Sequence, residues 1–311
     1  MLPNLLSIVA IALAASSVSL TLAKPTGCKP ALIKNLVVFG DSYSDTKNVY
    51  KLSNYTWPLP SNYHGRFSNG PVWADHVAKA RNLKLQDYAF GAATSDSNLI
   101  QGYTGPTAKI PVPGFIQQIE NHYAPKHNPK EMANTLFVVN FQGNDFFFNP
   151  SLESKQVVDR IHDGIKRLVS LGARNILVVQ NTNMGIIPYF STDAANAAAF
   201  TAIATKELAE YKVMMKEIAQ DYGPTIGKHP FRDCKDKSKV NVGYLSLWDL
   251  YAQLYKPNRL KKLGITDVVN GCVSNDYTTV CKDADKHFYW DAFHPSAKIH
   301  KEVAGAVLRL L

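Results

Sequence analysis

Five short apolar runs recur along the chain, at residues 36–39, 85–90, 135–141, 176–179 and 240–245. The first is unbroken, as expected of a parallel strand covered on both faces. Between the runs the apolar spacing changes to that of helices. Val72, Trp73, His76, Val77 and Ala80 fall on one face behind Pro71, which suits the first helical position. Val157, Val158, Ile161, Ile165, Leu168 and Val169 form a second stripe that ends near Gly172. Residues 115–123, 194–222, 248–255 and 297–310 read as further helices, and 50–69, 96–114 and 256–288 as irregular connections. Strands alternating with helices predict an α/β fold, a three-layer sandwich around a five-stranded parallel sheet.

The amino terminus stands apart from this pattern. Residues 5–15 are strongly apolar, serines break the run, and Thr21-Leu22-Ala23 offers small residues for cleavage. The run is shorter than the roughly 18 residues a spanning helix needs. Residues 1–23 therefore read as a signal peptide rather than a membrane anchor, and 24–311 as one secreted domain. The chain has 46% hydrophobic and 19% charged residues and a net charge of +9. The basic excess is spread out, and Lys235, Lys237 and Lys239 alternate with Asp236 and Ser238, which argues for a solvated surface and against a nucleic-acid partner. The protein is read as a monomer. Of the four cysteines, Cys272 and Cys281 suit a local loop clamp, which leaves Cys28 for Cys234. No Cys-x-x-Cys occurs, and neither a metal nor an organic cofactor is expected. Asn54-Tyr55-Thr56 is a candidate N-glycosylation acceptor.

The candidate chemistry lies where the strands end. Gly40-Asp41-Ser42 follows the first strand, Gly91 the second, Asn144 the third, and Asp291 and His294 precede the closing helix. The carboxyl ends of parallel strands share one edge, so these groups can converge. A serine hydroxyl needs a base, and a histidine oriented by a carboxylate supplies one. The backbone N–H groups of Ser42 and Gly91 and the amide of Asn144 are the donor types an oxyanion requires. Phe146, Phe147 and Phe148 are candidates for an acyl pocket or for packing, and Tyr289 and Trp290 for a cleft wall or for packing.

This set resembles the SGNH hydrolases, also called GDSL esterases and lipases. Gly40-Asp41-Ser42 matches the first block, Gly91 the second, Asn144 the third and Asp291/His294 the last, and Gly65-Arg66-Phe67-Ser68-Asn69-Gly70 resembles a stretch of the plant and fungal branch. The resemblance implies Ser42 as nucleophile, His294 as general base, Asp291 as its orienter, and Ser42, Gly91 and Asn144 as the oxyanion hole. It implies an ester substrate, with a similarity to fungal family 16 carbohydrate acetylesterases favouring short acyl chains. A secreted lipase or phospholipase and an acyltransferase use the same site, and a non-catalytic binding protein on this scaffold is the reading from another class. Two positions depart from the pattern. Gln142 stands where the third block usually has glycine, and Lys47 replaces the glycine of Thr-Gly-Asn. Gln142 is expected to narrow the site near the acyl carbonyl.

Overall fold

A computed structural model describes residues 28–223, 230–234, 236 and 238–311. The expected signal peptide, 1–23, lies outside the described residues. Five strands form a parallel sheet: β1 (Asn35–Gly40), β2 (Lys84–Asp87), β3 (Thr135–Asn140), β4 (Asn175–Gln180) and β5 (Asn241–Ser246). Their spatial order is β2-β1-β3-β4-β5. Five longer helices accompany the sheet: α1 (Trp73–Arg81), α2 (Ser154–Ser170), α3 (Ala194–Tyr222), α4 (Leu247–Leu254) and α5 (Ala297–Leu308). The chain leaves β1 toward β2 and returns to the other side of β1 with β3. The crevice outside the carboxyl ends of β1 and β3 is thus the topological switch point, where open α/β sheets bind ligands.

Both faces of the sheet are covered. Leu36 and Val38 of β1, Leu136 and Val138 of β3, and Leu177 and Val179 of β4 join one apolar cluster with Val77 of α1, Tyr251 of α4 and Val303 of α5. The alternate residues Val37, Phe39, Phe137, Val139, Ile176 and Val178 join the other with Ile161 and Ile165 of α2 and Tyr211 and Met214 of α3. Each such side chain contributes roughly 1.5–3 kcal/mol on removal from water. Register is pinned at the amino-terminal edge. Asn35 Nδ2 donates to Thr135 Oγ1 at 3.3 Å, and Asn241 Nδ2 to Asn175 Oδ1 at 2.9 Å. A slip of one residue would unpair these buried amides and turn every apolar side chain to the wrong face.

The expected irregular stretches contain more structure than the pattern predicts. Residues 96–114 hold an antiparallel hairpin, Gly102–Thr104 with Ile110–Val112. Residues 256–288 hold a helix, Pro257–Leu263, and a strand, Asp267–Gly271, that pairs in parallel with His287–Tyr289. The second strand ends at Asp87 rather than at residue 90. Tyr88 and Phe90 still donate their N–H groups to Val38 and Gly40 of β1, at 2.8 and 3.1 Å. The helix expected over 115–123 is an α turn at Phe115–Gln117 that widens to a π turn over Gln118–Tyr123. The Gln118 amide explains the break. It accepts from Gly40 N at 3.0 Å and donates to Gly40 O at 2.8 Å, closing the end of β1. The disulfides are Cys28–Cys234 and Cys272–Cys281. The first lies beside an antiparallel pair, Lys29–Pro30 with Arg232–Asp233.

Two positions in this framework are costly. Lys47 precedes the short helix Asn48–Leu52 with a φ of 147°, in a region that side chains rarely adopt. This is where the resemblance calls for glycine. Lys47→Gly is expected to stabilise the protein by about 1 kcal/mol, net of glycine's greater unfolded-state freedom, as read by denaturant melts; an unchanged or lowered midpoint would contradict it. Glu207, midway along α3, is buried and accepts from Asn181 Nδ2 at 2.6 Å. Burial, aided by the charge of Asp145, pushes its carboxyl up from 4.5 to about 8. Glu207 therefore contributes stability in full at low pH, and that contribution is lost as pH rises through about 8. Glu207→Gln keeps the acceptor for Asn181 but cannot ionise. Thermal melts should coincide with wild type at about pH 4 and lie a few degrees higher at about pH 8; equal slopes in the two proteins would exclude this role.

Candidate active site

The turn after β1 is built by hydrogen bonds to Asp41. Ser44 N and Asp45 N both donate to Asp41 O at 3.0 Å, and Tyr43 N donates to Asp41 Oδ1 at 3.0 Å. Gly40 is required here, because a Cβ would lie 2.5 Å from Asn140 O. The turn leaves Ser42 at the floor of a cleft of about 210 Å³. His294 Nε2 lies 2.8 Å from Ser42 Oγ, and His294 Nδ1 lies 2.8 Å from both carboxylate oxygens of Asp291. Asp291 Oδ1 also accepts from Phe293 N and His294 N, each at 2.8 Å, so the carboxylate organises the loop that presents the ring. Trp290 N donates to His294 O at 2.7 Å, and Gly271 backs the loop where a Cβ would meet Asp291 at 2.5 Å.

The stretch 65–70 fastens this loop from the other side. Arg66 forms a two-pronged pair with Asp75, at 3.0 and 2.7 Å. Phe67 packs its ring 5.2 Å from that of His294, and Asn69 Oδ1 accepts from Ala297 N at the start of α5. Tyr43 ties the two sides together, donating its hydroxyl to Phe293 O at 3.0 Å.

One expected donor is displaced. The Gly91 N–H donates to Asp45 Oδ2 at 2.9 Å, inside the protein. Gly91 is needed for a different reason, since a Cβ there would lie 2.4 Å from the Phe67 ring that packs on His294. The residue of this turn that lines the cleft is Ala92, with a φ of 72°. Asn144 also lines the cleft. It donates to Ala93 O at 2.9 Å, and its Nδ2 lies 3.4 Å from Asp41 Oδ2. Gln142 lines the cleft. Its side-chain amide is turned to Asn140 Oδ1, and its N–H donates to Asp41 Oδ2 at 2.5 Å.

Carboxylates join the three loops that follow β1, β2 and β3. Asp45 accepts from Lys47 N, Asn48 N, Val49 N and Gly91 N. Asp145 accepts from Ser95 N and, at 2.6 Å, from Ser95 Oγ. Asp87 accepts from Thr46 and from Ala89 N. Burial pushes the Asp41 carboxyl up to about 7, opposed by the N–H groups of Tyr43 and Gln142, and that of Asp145 up to about 6, opposed by Ser95. Burial and the neighbouring charge of Asp45 push Asp87 up to about 8.

Of the three consecutive phenylalanines, Phe146 belongs to the core while Phe147 and Phe148 line the cleft with Phe190 and Phe293. Trp57 and Tyr277 line it as well, 5.5 Å apart, the latter carried by the loop that Cys272–Cys281 closes. Tyr289 and Trp290 pack behind the cleft, Trp290 Nε1 donating to Asn62 Oδ1 at 2.9 Å. Among the described residues, Cys281, Asp283 and His287 cluster as metal ligands would, but the Cys281 sulfur is held in the disulfide. A hydroxyl bonded to an imidazole that a carboxylate orients, beside an apolar cleft, is an arrangement suited to acyl transfer.

A model of the GDSL-like lipase/acylhydrolase family matches residues 36–307. The chain is 26% identical to the thermolabile hemolysin of Vibrio parahaemolyticus over 90% of its own length, and spans 64% of that protein. It is 24% identical to the phosphatidylcholine-sterol acyltransferase of Aeromonas hydrophila, over 87% of this chain and 75% of that one. A solved structure of a lipolytic G-D-S-L family member from Veillonella parvula covers 89% of this chain and 98% of its own at 11% identity, with a TM-score of 0.48. The chain thus belongs to the GDSL-like lipase/acylhydrolase family and is a carboxylic ester hydrolase.

Proposed function

We propose that the protein is a secreted serine esterase that works through an acyl-enzyme on Ser42. The observation that carries this reading is the unbroken hydrogen-bonded series Ser42–His294–Asp291 at the floor of the cleft. Ser42 Oγ attacks the ester carbonyl carbon while its proton passes to His294 Nε2. Asp291 holds the ring and stabilises the imidazolium. The carbonyl oxygen takes up negative charge, which the N–H groups of Ser42 and Ala92 receive, joined by Asn144 Nδ2 as it gives up its long 3.4 Å contact with Asp41 Oδ2. Collapse breaks the bond to the alcohol oxygen, which takes the proton from His294. Water then attacks the acyl-enzyme in the same way and frees the acid. An alcohol in place of water would make the reaction an acyl transfer.

The Phe147, Phe148, Phe190 and Phe293 side of the cleft supports an acyl group longer than acetyl, which alone would leave most of that apolar wall uncovered. The acetylated-carbohydrate reading rests on Trp57 and Tyr277, because flat aromatic faces also cover the apolar faces of sugar rings. Residues 24–311 would form one hydrolase domain after removal of 1–23, and the two disulfides fit an oxidising compartment. Asn54 is exposed and open to glycosylation.

Hydrolysis rates for aryl esters from acetyl to palmitoyl test the substrate reading. A maximum at medium or long chains, abolished by about 10⁴ or more in Ser42→Ala, is the expected result. A maximum at acetyl would favour the carbohydrate ester, and undiminished activity in Ser42→Ala would rule out the acyl-enzyme. The mass of the exported protein reads the remaining points: a terminus at Lys24, and a loss on enzymatic glycan removal that Asn54→Gln abolishes.

A further inference from the structure

Most large apolar side chains of this protein are buried, but three exposed aromatics gather at the mouth of one cleft. Tyr189 is 44% exposed, Tyr103 42% and Phe147 36%. They come from separate segments: the hairpin Gly102–Thr104, the helix Asn144–Phe148, and the loop after β4. Tyr189 stacks on Phe293 at 4.3 Å, Phe147 meets both at 5.5 and 5.6 Å, and Tyr103 meets Phe148 at 6.5 Å. The surface is pinned, since Tyr189 N donates to Ala292 O at 2.9 Å, beside the loop that carries His294. It also runs without a break into the cleft, because Phe147 and Phe293 belong to both.

We propose that this aromatic rim docks the protein on a lipid–water interface, with the cleft opening toward the lipid. Contiguous exposed apolar surface at a site mouth marks an interaction surface. Tyrosine suits an interface, with an apolar body and a hydroxyl that stays wet. Phe147 meets its neighbours edge to face, at 64° to Tyr189 and 90° to Phe293. The result is an uneven surface, better matched to disordered acyl chains than to a flat sugar ring. Charge points the same way. Lys109 is exposed beside the hairpin tip. The segments 102–109, 144–148, 184–190 and 292–294 contain a single acid, Asp145, which is buried and bonded to Ser95. These four segments therefore present no exposed acid to an anionic headgroup. The proposal does not depend on Ser42 chemistry, because docking precedes any bond change.

Co-sedimentation with vesicles tests it, with Ser42→Ala as the parent so that lipid is not consumed. Binding to phosphatidylcholine vesicles that contain phosphatidylglycerol is expected, with weaker binding to phosphatidylcholine alone. Tyr189→Ser should reduce binding by about tenfold or more, and Tyr189→Trp should retain it. In otherwise wild-type protein, Tyr189→Ser should keep the turnover of a soluble short-chain aryl ester and lose turnover of vesicle-borne ester. The unchanged soluble activity shows that the variant is folded. Absence of vesicle binding by the parent would overturn the proposal, as would equal binding by Tyr189→Ser. Tyr189-dependent retention on acetylated xylan without vesicle binding would replace the lipid with a polysaccharide. Loss of soluble-ester activity in wild type would instead strike the esterase reading and leave the docking result standing.

Discussion

The backbone N–H groups just beyond the sheet have no strand to bond with, and buried carboxylates collect them. Asp41 holds the Ser42 turn to the Gln142 backbone, Asp45 holds the same turn to Gly91, and Asp145 holds the Asn144 helix to Ser95. The sheet brings the three loops to one edge, but the carboxylates fix their mutual distances. A parallel sheet of this order would otherwise present its loops at the switch point with their donors unpaired. Each carboxyl is raised by burial and held down by the donors it gathers. The loops around Ser42 are therefore cross-linked by groups whose charge is expensive to bury.

Much of this was legible in the residues. The apolar runs 36–39, 135–141, 176–179 and 240–245 predicted strands of the sheet, and the polar residues after β1 and β3 marked the edge where a site forms. The spacing of Asp291 and His294 within one loop let the carboxylate reach Nδ1. What stayed hidden depends on partners distant in sequence. Gly91 shows why: a glycine after a strand signals either a free N–H or a close approach, and only the position of Phe67 decides for close approach. Gln118 reads as an ordinary helix residue until its amide is seen to close both polar groups of Gly40. Phe147 and Phe148 could not be separated from Phe146 by periodicity, because a helix of five residues gives too short a pattern.

The two departures from the family pattern have different consequences. Lys47 takes a backbone angle suited to glycine while Asp45 still accepts its N–H, so the replacement falls on stability rather than on the cleft. Gln142 lines the cleft but turns its side-chain amide to Asn140. The Ser42–His294–Asp291 series keeps the order that the resemblance implies, whereas the cleft is lined by Phe147, Phe148, Phe190 and Phe293 and by Trp57 and Tyr277.

The most direct test of the account is where a covalent ester mimic reacts. The protein would be treated with an aryl alkylphosphonate, which a serine activated by histidine attacks with loss of the phenol, and the adduct would be located by peptide mass spectrometry. The account predicts one adduct, on the peptide that contains Ser42, at a rate that falls by about 10³ or more in His294→Ala. An adduct on another residue, or labelling of Ser42 that is indifferent to His294, would contradict it.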